Sequence, residues 1–137
     1  MRAAVFSVTR RGAELSKRIA KAFPDGWNVM LFCFERYPAD GAEPFANLAQ
    51  KTAEVFPECS AVVFVCACGI AVRAVAPLIK SKQTDPAVVV LDDCGKFAVS
   101  LLSGHLGGAN RMTEIIAEAV GAQPVITTAT DAGGRFS

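Results

Sequence analysis

The sequence contains a single histidine, His105, and has a formal charge of only +1 with no long run of lysine or arginine. This balance excludes the broad basic surface typical of proteins that bind nucleic acid or anionic membranes, so an anionic ligand has to be bound locally. One histidine also excludes a zinc site of the multi-histidine kind. Glycine, proline or charge interrupts every apolar stretch before it reaches the roughly 20 residues that a membrane-spanning helix needs.

The sequence also lacks an N-terminal stretch typical of a secretory leader, because MRAAVFSVTR is too short and too polar. We therefore expect a cytoplasmic location, in which cysteines stay reduced. Most of the cysteines lie in or beside apolar runs, where a free cysteine usually behaves as a small buried hydrophobe. Cys66 and Cys68 lack the two-residue spacer of common zinc and redox motifs. The five cysteines are Cys33, Cys59, Cys66, Cys68 and Cys94.

What the sequence does have is an apolar fraction of 52% over 137 residues, enough for one domain with a buried core. Short β-rich runs alternate with helical patterns, and strands such as NVMLFCF (28–34) are almost continuously apolar, as in parallel sheets covered on both faces. The order predicts a three-layer α/β/α sandwich with a mostly parallel sheet. Strands are expected at 3–9, 28–34, 60–67, 85–92, 97–102 and 123–130, and helices at 12–23, 45–56, from 69 onward and at 110–120.

Two local features refine this fold. The segment DDCGK (92–96) resembles a tight turn and predicts an antiparallel hairpin within residues 87–102. The sequence stops soon after a predicted strand, with no helix to cover it. We therefore expect residues 1–137 to form one α/β domain that is the N-terminal part of a longer two-domain protein.

Three predicted loops contain glycine: ACGIAVR, SGHLGGAN and TATDAGG. Ligands of open α/β sheets bind beyond the carboxyl ends of the strands, and we expect all three loops to meet on that edge. Glycine allows close backbone approach, and a helix starting near Ala109 or Asn110 would offer N–H groups to a carboxylate or phosphate. The alternative is a set of plain tight turns with Asn110 as an ordinary N-cap. The pattern matches neither a Walker loop nor a dinucleotide fingerprint.

Several polar residues of these loops are candidates for chemistry. His105 could act as a general acid or base because histidine titrates near neutral pH, and Asp131 could orient or deprotonate a neighbour. Arg73 could form a forked contact with a carboxylate, although it could equally be a solvated surface charge. Ser103 as a nucleophile is disfavoured because the GxSxG elbow of serine hydrolases is absent. The predicted binding positions are Gly69, Arg73, Ser103, Gly104, Gly107, Gly108, Asn110, Thr128 and Thr130.

Four segments, GIAVRAVAP, TDPAVVVLD, LLSGHLGGAN and PVITTATD, resemble the N-terminal region of the CbiG family of cobalamin-biosynthesis proteins. The resemblance runs from about Ser60 to Asp131 and is most specific around His105. It implies the cobalt-precorrin-5A hydrolase reaction of the anaerobic pathway, in which the δ-lactone of a cobalt-tetrapyrrole is opened and acetaldehyde is released. It also implies a small-molecule substrate that carries its own cobalt, so no separate metal site or cofactor is expected.

The resemblance suggests roles for the glycine loop. In this hypothesis His105 activates water for attack on the lactone carbonyl, while Gly107, Gly108 or Asn110 stabilises the oxyanion. The acetate and propionate groups of the macrocycle would suit helix N-termini and arginines. The competing interpretation is a non-catalytic module that binds a tetrapyrrole or another anion and needs a C-terminal domain for activity. A nucleotide- or sugar-phosphate-binding domain is a weaker alternative, and homodimerisation is left open.

Overall fold

A computed structural model describes residues 1–103 and 108–128. These residues form seven strands: β1 (Arg2–Ser7), β2 (Asn28–Phe34), β3 (Ala42–Phe45), β4 (Ala61–Val65), β5 (Ala87–Leu91), β6 (Phe97–Leu102) and β7 (Gln123–Val125). The helices are α1 (Arg10–Ala22), α2 (Leu48–Val55), α3 (Cys68–Val75) and α4 (Ala109–Val120). Short 3-10 turns extend α2 at Phe56–Glu58 and α3 at Ala76–Leu78.

The strands form one sheet in the order β3-β2-β1-β4-β5-β6-β7. Strands β1 to β5 are parallel, β6 pairs antiparallel with β5, and β7 pairs parallel with β6. The predicted fold class is therefore confirmed, and so is the antiparallel hairpin within residues 87–102. Below, "carboxyl edge" means the edge where β1 to β5 end, and "amino edge" means the edge where they begin.

Helices cover both faces of the sheet, which explains why the central strands are apolar at every position. Neighbouring strand residues point to opposite faces, so Val5 belongs to the same buried cluster as Ile19 of α1 and Ile116 of α4, whereas Phe6 faces the α2–α3 side. On that side the Phe6 ring stacks against Phe32 and Phe64, with centroid distances of 5.0 and 5.3 Å. Both layers of side chains exclude water from the sheet.

The hairpin between β5 and β6 is fixed by a side chain in its turn. The Asp92 carboxylate accepts hydrogen bonds from the backbone N–H groups of Lys96 (3.0 Å) and Phe97 (2.8 Å), while Gly95 N–H donates to the Asp92 carbonyl. Gly95 has φ of +71°, a conformation that glycine adopts without steric cost. These contacts close the turn and reverse the direction of the chain.

The structure departs from the sequence-based prediction at two strands. Residues 42–45 form the edge strand β3 rather than a loop; Pro44 lacks an N–H group but is compatible with an edge position. The last strand ends at Val125, whereas the sequence predicted strand to residue 130.

Thr9 is the N-cap of α1, because its Oγ1 accepts a hydrogen bond from Gly12 N–H at 2.9 Å. In residues 1–103 and 108–128, no helix is both long and apolar enough to cross a membrane.

All five cysteines are free thiols. Cys33, Cys59 and Cys66 are buried, as predicted, whereas Cys68 and Cys94 are exposed, which corrects the expectation for Cys68 beside an apolar run. Burial raises the pKa of the Cys66 thiol to about 12 and, together with nearby Glu58, that of Cys59 to about 11. Because the thiolate is the reactive form, the buried thiols are protected both by protonation and by lack of access.

We predict that iodoacetamide at pH 7.5 modifies Cys68 and Cys94 in the native protein and leaves Cys33, Cys59 and Cys66 unmodified. Peptide mass spectrometry after timed labelling checks this directly. The same reaction in denaturant should modify all five thiols and serves as the control. Modification of Cys66 at the rate of Cys68 in the native state would contradict the burial described above.

The second prediction concerns Asp92. Burial by itself would raise the pKa of this carboxyl, but the backbone hydrogen bonds from Phe97 and Lys96 outweigh it and hold the pKa below its usual 3.8. The unfolded chain therefore takes up this proton first, so the stabilisation exists above pH 3.8 and disappears as the pH falls through the lower native value.

Asp92→Asn should therefore be less stable than the wild type at pH 7, and the difference should shrink near pH 3. Urea denaturation at both pH values measures it. The exposed Asp40→Asn is the matched control and should change the stability at pH 7 far less than Asp92→Asn does. If the free energy of unfolding differs between the wild type and Asp92→Asn by the same amount at both pH values, the charge of this carboxylate does not stabilise the turn.

Candidate functional site

The direction of β6 determines which predicted site residues can meet. Because β6 is antiparallel to β5, it ends at the amino edge, where Leu102 pairs with Val88 at the start of β5. Strand β7 runs parallel to β6, so the chain that follows it reaches the same edge. Helix α3 instead follows β4 and begins at the carboxyl edge.

The expectation that the three glycine-containing loops share one edge is therefore wrong. Gly69 and Arg73 lie at the carboxyl edge, whereas Ser103, Gly108, Asn110 and Thr128 lie at the amino edge. The two groups are separated by the length of the central strands, roughly 15–20 Å. The physical reason is the reversal in the β5–β6 turn, which sends the following loop to the opposite edge.

At the carboxyl edge Gly69 and Arg73 do come together. A Cβ atom at Gly69 would lie 3.5 Å from Arg73 Nη1, so the guanidinium folds back over the first turn of α3. Both residues are exposed. At this edge the neighbouring strands β1 and β4 are followed by helices on opposite faces of the sheet, α1 on one face and α3 on the other. The crevice between two such connections is a common ligand site in open α/β sheets.

Sequence reasoning missed a cavity of about 520 Å³ near this point. It is charge-balanced, since Arg10 and Arg11 are opposed by Glu14 and Asp93. Asp93 accepts a hydrogen bond from Thr9 at 2.9 Å, and Arg10 lies over the Tyr37 ring. The signal was available, because the loop after β1 meets the same strand-to-helix rule that pointed to Gly69.

At the amino edge the glycine loop starts from a strained residue. Ser103 has φ of +62° and is the only non-glycine residue with positive φ among residues 1–103 and 108–128. Its side chain is buried; its Oγ donates to the Asp85 carbonyl at 3.4 Å, and its own carbonyl accepts from Ala109 N–H at 3.0 Å. The left-handed backbone of a serine costs about 1–2 kcal/mol, so surrounding contacts hold it in place.

The Asp85 segment anchors Ser103 in turn. The buried Asp85 carboxylate accepts hydrogen bonds from the N–H groups of Lys80 and Ser81 at 3.0 and 3.2 Å. The loop before β5 is thereby fastened to the end of β6. Ser103 thus serves a structural role here, in line with its disfavoured role as a nucleophile.

Asn110 links three elements at this edge. Its Oδ1 accepts a hydrogen bond from Ser100 of β6 at 2.7 Å, and its Nδ2 donates to Thr128 at 3.0 Å. The N-cap of α4 is Gly108, with φ of +83°, so the interpretation of Asn110 as the N-cap is wrong. Asn110 and Thr128 are thus brought together, and the carboxamide holds Thr128 beside the start of α4.

Described residues line two cavities at the amino edge. One, of about 320 Å³, lies between the ends of α2 and α3 and includes Lys80, Thr84 and Asp85. The other, of about 280 Å³, lies on the α1–α4 side and includes Trp27, Gly108 and Arg111. Ser103 contacts Asp85, which lines the first cavity, and Gly108 lines the second, so each cavity lies near one of these two residues.

The remaining predicted site residues, Gly104, His105, Gly107, Thr130 and Asp131, lie outside the described residues. Their roles therefore stay predictions. In the parts of the chain that the structure describes, no three histidine, cysteine, aspartate or glutamate side chains cluster closely enough to hold a metal ion.

The strain at Ser103 gives a testable prediction. Ser103→Gly should be more stable than Ser103→Ala by about 1 kcal/mol, because only glycine adopts the positive φ without cost. Thermal or urea unfolding measures the difference. At the exposed Ser60, whose φ is not positive, the order should reverse, with alanine favoured. Equal stability of the two Ser103 variants would mean that the left-handed backbone is absent in solution.

Comparison with known proteins adds to this geometry. The chain is 46% identical to a protein from Salmonella typhimurium named cobalt-precorrin-5A hydrolase, over 93% of this chain and 36% of the relative. It is 37% identical to the cobalt-precorrin-5A hydrolase of Priestia megaterium, over 93% of this chain and 35% of the relative. The chain thus spans about a third of the length of the curated relatives it matches.

A solved structure agrees with the fold. The crystal structure of a cobalamin biosynthesis protein G homolog from Sulfolobus solfataricus superimposes with a TM-score of 0.70 at 25% identity, over 91% of this chain and 36% of that one. The profile of the family described as "Cobalamin synthesis G N-terminal" matches residues 50–131, including the whole glycine loop. The chain therefore belongs to the cobalamin synthesis G N-terminal family.

Proposed function

We propose that this chain acts in anaerobic cobalamin biosynthesis as the N-terminal part of a cobalt-precorrin-5A hydrolase. The observation that supports this proposal most strongly is the 46% identity to the Salmonella typhimurium protein of that name across nearly all of this chain. The substrate would be a cobalt-tetrapyrrole whose δ-lactone is opened with release of acetaldehyde. The cobalt would arrive inside the macrocycle, and the chain itself would need no cofactor.

We place the reacting lactone at the amino edge, beside the glycine loop. Support comes from α4, whose N-terminus has neither an acidic residue in its first turn nor a described side-chain cap. A helix N-terminus of this kind favours a carboxylate or an oxyanion. The Ser100–Asn110–Thr128 hydrogen bonds fix the adjacent polar surface before any ligand arrives. Such pre-organised dipoles are what oxyanion stabilisation requires.

In the proposed reaction His105 accepts a proton from water, and the water oxygen forms a bond to the lactone carbonyl carbon. Backbone N–H groups of Gly107 and Gly108, or the Asn110 amide, stabilise the resulting oxyanion. The ring C–O bond then breaks, and the departing oxygen takes the proton held by His105 to give an alcohol, while the new carboxylic acid releases its proton to solvent and becomes a carboxylate. Loss of the alcohol proton, to a base such as Asp131, and cleavage of the adjoining C–C bond release acetaldehyde. The electron pair stays on the macrocycle and takes up a proton.

We further propose that turnover requires the region that the relatives carry beyond the matched third of their length. Clefts between domains are common ligand sites, and the amino-edge cavities of about 320 and 280 Å³ are small for a whole tetrapyrrole. A second domain would complete the enclosure. The reaction would take place in the cytoplasm.

The test is turnover by a protein of the relatives' full length that contains this chain, with acetaldehyde measured by coupled reduction. We expect His105→Ala to lower the rate about a hundredfold or more, since loss of a general base typically has that effect. Glu118→Gln on the exposed face of α4 is the control and should leave the rate unchanged. A rate within about threefold of wild type would remove histidine as the base. If the wild-type protein binds the tetrapyrrole but produces no acetaldehyde, the hydrolase proposal is wrong and the protein is a non-catalytic binding module.

A further inference from the structure

The apolar cavity at the amino edge has features of a binding site for one edge of a ring-shaped ligand. Its volume is about 280 Å³, and its walls include Pro24, Trp27, Met112 and Ile115. The Trp27 indole packs edge-to-face on the buried Phe23 ring, with the centroids 5.2 Å apart, so the aromatic wall is held in position. This volume is at the lower limit for small-molecule pockets and suits part of a macrocycle rather than all of it.

One charged side chain, Arg111, is among the described residues lining this apolar space. Arg111 is exposed and lies in the first turn of α4, next to Gly108. Within the described ranges no carboxylate lies at ion-pair distance from its guanidinium. A cation at a helix N-terminus is electrostatically unfavourable unless an anion is present. The guanidinium and the helix N-terminus together therefore favour a ligand carboxylate at this mouth.

We infer that this cavity receives one carboxylate-bearing edge of the tetrapyrrole, with the apolar ring carbons against Trp27 and Ile115 and a side-chain carboxylate on Arg111. The inference rests on the proposed function for its ligand class. It assigns Arg111 and Trp27 as binding residues that the sequence analysis did not single out. Gly108 lines the same cavity, so a ring seated there would extend toward the glycine loop.

Two probes distinguish the contribution of the ligand's carboxylates to binding from the contribution of its ring. Cobyrinic acid is a cobalt corrinoid with free acetate and propionate groups, and its heptamethyl ester keeps the ring without the negative charges. Trp27 is the only tryptophan of the chain, so its fluorescence, corrected for absorbance by the corrinoid, reports occupancy of the cavity. We expect saturable quenching by cobyrinic acid. The ester should bind roughly ten- to a hundredfold more weakly, the effect of losing a charge-assisted hydrogen bond.

Arg111→Ala should weaken the binding of cobyrinic acid about tenfold or more, toward the affinity of the ester, and leave the ester itself unchanged, which a folding defect would not do. Arg36→Ala, at an exposed arginine outside the cavity, is the matched control and should bind both probes like the wild type. Ile115→Phe narrows the cavity and should weaken both probes. Absence of saturable quenching, equal affinities for acid and ester, or an Arg111→Ala variant that matches the control would overturn the inference.

Turnover distinguishes this inference from the proposed function. In the full-length enzyme Arg111→Ala should raise KM about tenfold or more with kcat within about twofold, the pattern of a lost binding contact. Normal kcat and KM in that variant would overturn the cavity assignment while leaving the hydrolase proposal intact. Arg111-dependent binding without wild-type turnover would overturn the hydrolase proposal and leave the cavity assignment standing.

Discussion

The chain reversal between β5 and β6 is the constraint on which the arrangement of this protein depends. The Asp92 carboxylate holds the N–H groups of Lys96 and Phe97 and so closes the turn. The elements that follow are inverted relative to those before the turn: β6 and β7 run opposite to the first five strands and end at the amino edge, and α4 begins there. Ser103, Gly108, Asn110 and Thr128 consequently share one edge, away from Gly69 and Arg73.

Much of the fold could be predicted because both faces of the sheet are covered. That double burial requires apolar residues at every position of β4 and β5, and a continuous apolar run is easy to read in a sequence. The edge strand β3 could not be read in this way, since Glu43 and Pro44 face solvent and carry no periodic signal. The last strand was overextended because TTAT has high β propensity, which says nothing about where pairing ends.

The kinds of residue at the candidate site could be predicted from the sequence, but their positions in the fold could be predicted only in part. Asn110 and Thr128 do meet, but the plain-turn alternative, with Asn110 as N-cap, fails at that residue: Gly108 is the N-cap, with φ of +83°, and the asparagine instead bridges Ser100 and Thr128. The antiparallel hairpin and a single shared edge were both expected, yet the first excludes the second. Trp27 and Arg111 gave no local signal, because they come together only when α1 and α4 pack on the same face.

The central position of β1 also has a consequence for how the chain folds. Strand β1 pairs with β2 on one side and with β4 on the other, and β4 follows β1 only after two helices and two further strands. On a ribosome, the segment containing Phe6 must wait for residues up to Val65 before both of its edges are covered. Such non-local pairing slows folding and lengthens the time during which an apolar strand is open to chaperones or to aggregation.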